Sequence, residues 1–164
     1  MSILPFWNDF YKDITYTLEQ FKDTEQLQLW KDCGHNIEKI SIGLHQYNND
    51  NSLTESVKLL FPNLKHIGVC IHKLSPGHYL PMHSDKYAFY ANKYNVTDLN
   101  LIKRHIIFLE DCEIGHMLIV KDRVYSNWKR GDIVSWQGTD IHSAINLGIT
   151  NRYTLQITGI DDAS

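Results

Sequence analysis

The chain has no cysteine pair of the kind that builds a disulfide framework or a thiolate metal site. Cys33, Cys70 and Cys112 are scattered and form no CxxC. That pattern fits a reducing compartment and excludes a disulfide-stapled scaffold. The three are expected as small buried hydrophobes. There is no apolar run long enough to cross a bilayer. The start, Met1-Ser-Ile-Leu-Pro-Phe-Trp-Asn-Asp9, lacks the basic residues and long apolar stretch of a secretory signal. A cytoplasmic protein with no membrane partner is expected. A basic excess is missing too: 16 Lys and Arg face 19 Asp and Glu, for a formal charge of −3. A broad nucleic-acid-binding surface is therefore not expected. No repeat, low-complexity tract or linker divides residues 1–164, so a single domain is predicted.

What is present is a core. Hydrophobic residues make up 43% and aromatics 12%, enough for a packed globule. Phe10, Ile14, Leu18 and Phe21, followed by Leu27 and Trp30, fall at helical spacing and predict a helical region over 5–31, with a break near Thr24. Residues 37–47 alternate as a strand, and 48–51 are turn chemistry. Ser52-Leu-Thr-Glu55 is a capping box for a helix through Leu60, stopped by Pro62. From about residue 66 the pattern becomes short alternating strands: 66–74, the stretch around 79–85, then 105–109, 117–120, 123–125, 132–136, 140–145 and 152–158. Residues 86–101 have no clear period and are expected as a long loop. The fold class predicted is α+β, with N-terminal helical support over about 1–62 packed on one sheet of a β-rich core over about 66–160.

The chemistry centres on Tyr79-Leu-Pro-Met-His83-Ser-Asp85. In a strand, residues two apart share a face, so His83 and Asp85 can offer a nitrogen and an oxygen to one metal. His142, in Thr139-Asp-Ile-His142, offers the third ligand. Two histidines and one carboxylate leave open positions, the arrangement of non-haem iron(II) oxygenases. A hairpin centred on Leu147 would set Arg152 opposite His142, with Thr154 on the same face. A guanidinium there suits a bidentate carboxylate. Lys121, Arg123, Lys129 and Arg130 form a basic cluster, expected as a solvated turn.

His-x-Asp, a distant His, then Arg ten residues on and Thr two beyond, resembles the iron(II)/2-oxoglutarate-dependent oxygenases, over about residues 66–159. Trp128-Lys-Arg-Gly131-Asp132…Trp136 is similar to the aspartyl/asparaginyl β-hydroxylase branch. Gly77-His-Tyr79…His83-Ser-Asp85 is similar to the prolyl hydroxylase branch. The resemblance implies a double-stranded β-helix (jelly-roll, cupin-like) using Fe(II), 2-oxoglutarate and O2. By it, His83, Asp85 and His142 are the metal ligands and catalytic centre. Arg152, helped by Thr154, binds the distal carboxylate of 2-oxoglutarate, and His105 contacts the cosubstrate. Animal β-hydroxylases lack the carboxylate ligand, so Asp85 sets this chain nearer the wider superfamily. The implied reaction is hydroxylation of an unactivated C–H on a protein or peptide side chain. A free amino acid, small metabolite or nucleobase is the alternative substrate, and a cupin-like metal module without redox activity the alternative class. Tyr87, Phe89 and Tyr90, directly after the ligand strand, are expected in a substrate-binding lid.

Overall fold

The structure, a computed structural model, describes residues 2–47 and 52–161. The turn predicted at 48–51 lies outside them. A 3-10 turn at Asp9–Lys12 leads into β1 (Thr17–Gln20), α1 (Thr24–Asp32), a second 3-10 turn (Ile37–Lys39), β2 (Ser41–Tyr47) and α2 (Ser52–Leu60). The predicted helix over 5–31 is thus confined to 24–32. Its true start is Asp23, whose side chain accepts from the Gln26 N–H and caps the first turn. The apolar spacing before it is coincidental. Phe10 and Ile14 pack on the core, Leu18 is 64% exposed, and Phe21 turns toward Trp30. Pairing of Thr17–Gln20 with β2 overrides the local helical pattern.

Eight more strands follow: β3 (Leu64–Leu74), β4 (Tyr79–His83), β5 (Ile102–Phe108), β6 (His116–Val120), β7 (Arg123–Tyr125), β8 (Ile133–Gln137), β9 (His142–Asn146) and β10 (Arg152–Asp161). They divide between two antiparallel sheets, ordered β1-β2-β3-β10-β5-β8 and β4-β9-β6-β7. From β3 onward the chain passes back and forth between the sheets. That alternation is a double-stranded β-helix, the jelly-roll of cupin-like folds. Here β1 and β2 widen the larger sheet, so the predicted N-terminal support is part helix and part strand.

The larger sheet carries an apolar cluster on each face. One face packs against α2 and the first 3-10 turn, through Trp7, Tyr11, Leu53, Val57, Val69, Ile107, Leu155 and Ile157. The other faces the smaller sheet through Ile106, Phe108, Leu118, Val120, Trp128, Val134 and Trp136. Gly131 (φ 91°) makes the turn before β8, and its N–H returns to the Phe108 carbonyl. Among the described residues no helix is long and apolar enough to cross a membrane. Cys70 is buried, Cys112 half-buried and Cys33 exposed, so only Cys70 is fully the buried hydrophobe predicted.

Residues 86–101, expected as a loop, contain α3 (Ala88–Tyr94) and a 3-10 turn at Leu99–Leu101. Tyr87, Tyr90 and Tyr94 stand three and four apart, and their rings meet in sequence at 6.3 and 4.9 Å. A helical face was present, in tyrosines rather than aliphatics.

Candidate metal centre

β4 is an edge strand, and Pro81 sits where its ladder with β9 shifts register. Proline has no N–H to contribute, so it is tolerated at such an edge. The irregularity leaves the Pro81 carbonyl to accept from His83 Nδ1 at 2.7 Å. His142 repeats the device at the start of β9: its Nδ1 donates to the Asp140 carbonyl at 2.9 Å. A carbonyl only accepts, so both rings carry their proton on Nδ1. Each Nε2 therefore presents a lone pair, as in metal-binding histidines fixed by a backbone carbonyl. The two rings lie 4.4 Å apart. Asp85, two residues past the end of β4, brings Oδ1 to 3.8 Å from His83 Nε2 and Oδ2 to 3.8 Å from His142 Nε2. One donor atom from each residue falls within 4.8 Å of the others. Phe21 and Trp30 pack edge-on against the His83 ring, and Trp136 lies 5.3 Å from that of His142. The N-terminal segment thus walls the site on one side and β8 on the other.

A cavity of about 770 Å³ opens over these residues, with Glu19, Ile42, Leu44, His72, Arg104 and Gln156 also on its walls. Arg104, 7% exposed, donates from Nη2 to Asp85 Oδ2 and reaches the Tyr87 hydroxyl from Nε (2.9 Å) and Nη2 (2.6 Å). Burial works to raise the Asp85 carboxyl, but Arg104, then His142 and His83, outweigh it and hold Asp85 below the ordinary range.

Deeper between the sheets the cavity narrows to a hollow of about 40 Å³ lined by His72, His142, Arg152, Thr154 and Gln156. Arg152 is 5% exposed. Its Nη1 donates to the Met117 carbonyl at 2.9 Å, and its guanidinium lies 5.2 Å from the Trp128 ring centre. It has no carboxylate partner among the described residues, and its buried Nε is unpartnered. Burial pulls its pKa down to about 10. Thr154, 4% exposed, lies two residues on along β10.

The structure therefore groups His83, Asp85 and His142 and sets Arg152 and Thr154 in an adjoining hollow that shares His142 with them, by a route other than the predicted hairpin. β9 pairs with β4 and β6, while β10 pairs with β3 and β5. His142 and Arg152 reach one interior from opposite sheets. His105 is not with them. On β5, Arg104, Ile106 and Phe108 face the interior, so His105 faces outward, stacked on Phe61 at 4.3 Å and bonded through Nδ1 to Ser135 Oγ. The expectation that it contacts a cosubstrate is corrected: the odd residues of β5 serve the helix side. Of the three aromatics expected over the site, Tyr87 turns inward to Arg104. Tyr90 donates to the His66 carbonyl, and Phe89 is 82% exposed. Lys121, Lys129 and Arg130 of the basic cluster pair with Asp140, Asp111 and Asp9. Sequence reasoning missed Arg104 and His72. Arg104 was detectable only as the sole charge in phase with Ile106 and Phe108.

These buried imidazoles make stability pH-dependent. Burial, then the charges of Arg104 and Arg152, push His72 down to about 3. Burial is the largest cause that takes His142 and His105 to about 4. The unfolded chain takes up these protons near pH 6.5, the folded chain only near 4 or below. The unfolded state binds more protons in that window, so stability is full above about pH 6.5 and declines as pH falls toward 4. Each histidine contributes a slope of up to ~1.4 kcal/mol per pH unit. Urea unfolding of the metal-free protein at pH 7, 6 and 5 checks this, and a flat profile contradicts it.

No family model matches the chain, and no curated protein matches it. Among solved structures it is similar to a protein from Thermotoga maritima described as a predicted oxalate decarboxylase, at 12% identity over 73% of this chain and 81% of that one, TM-score 0.46. It is similar to a cupin-2 domain from Rhodospirillum rubrum, at 11% identity over 97% and 75%, TM-score 0.49. It is also similar to a cupin domain from Schizosaccharomyces pombe, at 8% identity over 78% and 74%, TM-score 0.47. The strand order, rather than these likenesses, defines the fold given above.

Proposed function

We propose that the chain is an iron(II)- and 2-oxoglutarate-dependent oxygenase that hydroxylates an unactivated C–H on a protein or peptide side chain. The observation that carries this reading is the pairing of two features across one interior. His83, Asp85 and His142 converge as a facial donor set, and facing them is a buried arginine with no anion of its own. A divalent iron fits the donors, which are two neutral imidazoles with free Nε2 and one carboxylate held ionised. Iron bound there with 2-oxoglutarate would supply oxidation by O2, the cosubstrate leaving as succinate and CO2.

The chain's own residues do the rest. Arg152, with Thr154, binds the distal carboxylate, and its unpartnered Nε marks capacity still to be filled. Phe21, Trp30 and Trp136 exclude water around the imidazoles. The wide outer cavity is where a substrate side chain or small molecule enters.

A second reading, a metal-binding module without redox chemistry, is favoured by one observation: Arg104 already satisfies Asp85, so the carboxylate is stable without a metal. Arg152 separates the two readings, since such a module has no use for it. Aerobic incubation with iron(II) and 2-oxoglutarate is expected to release succinate above the no-enzyme rate. Absence of both succinate and 2-oxoglutarate binding removes the oxygenase reading. A peptide and metabolite screen for a gain of one oxygen by mass then identifies the substrate.

A further inference from the structure

We propose that Arg104 and Tyr87 form a clasp that holds the Asp85 carboxylate by one oxygen, so that it gives a metal one donor rather than two. This rests on the reading of His83, Asp85 and His142 as ligands. A six-coordinate metal with three protein donors has three open positions, and a bidentate aspartate would leave two. The clasp is a closed set of three groups. The guanidinium donates from Nη2 to Asp85 Oδ2 and from both Nε and Nη2 to the Tyr87 hydroxyl, which is itself hydrogen-bonded to Asp85. It also lies 5.2 Å from the centre of the Tyr87 ring. Tyr87 cannot easily retreat. It stands in the left-handed region (φ 51°) as the N-cap of α3, and its ring covers Gly138, where a Cβ would come within 2.8 Å of Tyr87 Cε2. The same loop continues to Asp140, whose carbonyl orients His142. One brace therefore ties Asp85, the start of α3 and the approach to the third ligand.

An arginine in this place works against metal affinity. A unit charge ~6 Å from a divalent ion weakens binding about tenfold even at the dielectric constant of water. Its presence makes sense if an open position is worth more than tight binding. A role in folding alone predicts no such trade.

The test uses metal alone. Co(II) affinity is measured by calorimetry, and coordinated water is read from the relaxivity of bound Mn(II), in wild type, Arg104→Met, Arg104→Lys and Tyr87→Phe. Arg104→Met is expected to bind Co(II) about tenfold tighter and to lose about a third of the inner-sphere relaxivity as Asp85 closes on the metal. Arg104→Lys keeps the charge and returns the affinity toward wild type. Removing Arg104 leaves a buried carboxylate unpaired and endangers folding. Tyr87→Phe is therefore run beside it: Arg104 remains, its brace is loosened, and relaxivity falls with little change in affinity. Co(II) binding equal to or weaker than wild type in Arg104→Met, or wild-type relaxivity in every folded variant, overturns the clasp. A wild-type chain that takes up neither ion overturns the ligand set itself, and the clasp with it.

Discussion

A His142→Ala chain is expected to fold and to lose stoichiometric iron(II) binding. The imidazole sits between Trp136 and His83 with Nδ1 committed to the Asp140 carbonyl, which holds its Nε2 toward Asp85 as one of three donors. What is left is one histidine and one carboxylate, too few donors to hold the metal against water. The loss should exceed the roughly 10–100-fold that removing an outer-shell partner costs. Folding should survive, because the folded state already pays to bury this ring uncharged, as its pKa of about 4 records. His83→Ala should behave alike. Asp85 is better changed to Asn than to Ala, since truncation leaves the buried Arg104 without its carboxylate and with only the Tyr87 hydroxyl as partner, a loss of about 3–5 kcal/mol in stability. Trp136, 5.3 Å from the His142 ring, offers the readout: quenching of its emission on iron(II) titration in wild type and its loss in the variants. Wild-type affinity in all three variants ends the assignment of the triad.

Arg152→Ala is expected to leave metal binding intact and weaken 2-oxoglutarate by roughly 2–5 kcal/mol, the scale for removing one partner of a buried charge-assisted pair. Arg152→Lys should recover only part, because a point charge lacks the planar fork. Stability should move the other way. The guanidinium is buried without a carboxylate partner among the described residues, and burial drags its pKa to about 10. Removing it leaves no orphaned carboxylate behind, so the variant should be no less stable than wild type. Trp128 lies beneath the guanidinium, so its emission should respond when 2-oxoglutarate draws Arg152 toward it. An unchanged 2-oxoglutarate affinity in Arg152→Ala means the anion is a different one or binds elsewhere.

The strands from β3 onward were legible because each is short, alternating and bounded by turn residues. The grouping of His83, Asp85 and His142 was legible because their spacing carries it: His83 and Asp85 are two apart, and His142 leads a strand. Less was readable where both faces of an element are apolar. On β5, Ile106 and Phe108 compete with Ile107 for the core, and nothing local decides which phase looks inward. The resemblance points to His105, and Arg104 is the residue on the inner face. The hairpin through Leu147 failed for a different reason. A turn tells where a chain reverses, not which sheet receives the next strand, and here β9 and β10 go to different sheets. The N-terminal helix failed because Thr17–Gln20 pair with Leu44–Ser41 of β2, a contact between 21 and 27 residues away that outweighs the helical spacing before Asp23.

β10, the last strand described, lies in the middle of the larger sheet, hydrogen-bonded to β3 on one side and β5 on the other. β3 can pair with β2 and β5 with β8, but during synthesis their inner edges have no partner until residues 152–161 have left the ribosome. Everything translated before that carries two long strand edges open to the wrong partner, the condition in which nascent chains aggregate or recruit chaperones. Arg152 and Thr154 ride on that same strand. His83, Asp85 and His142 all precede it in the chain, so Arg152 and Thr154 join them in the interior only once β10 has paired with β3 and β5.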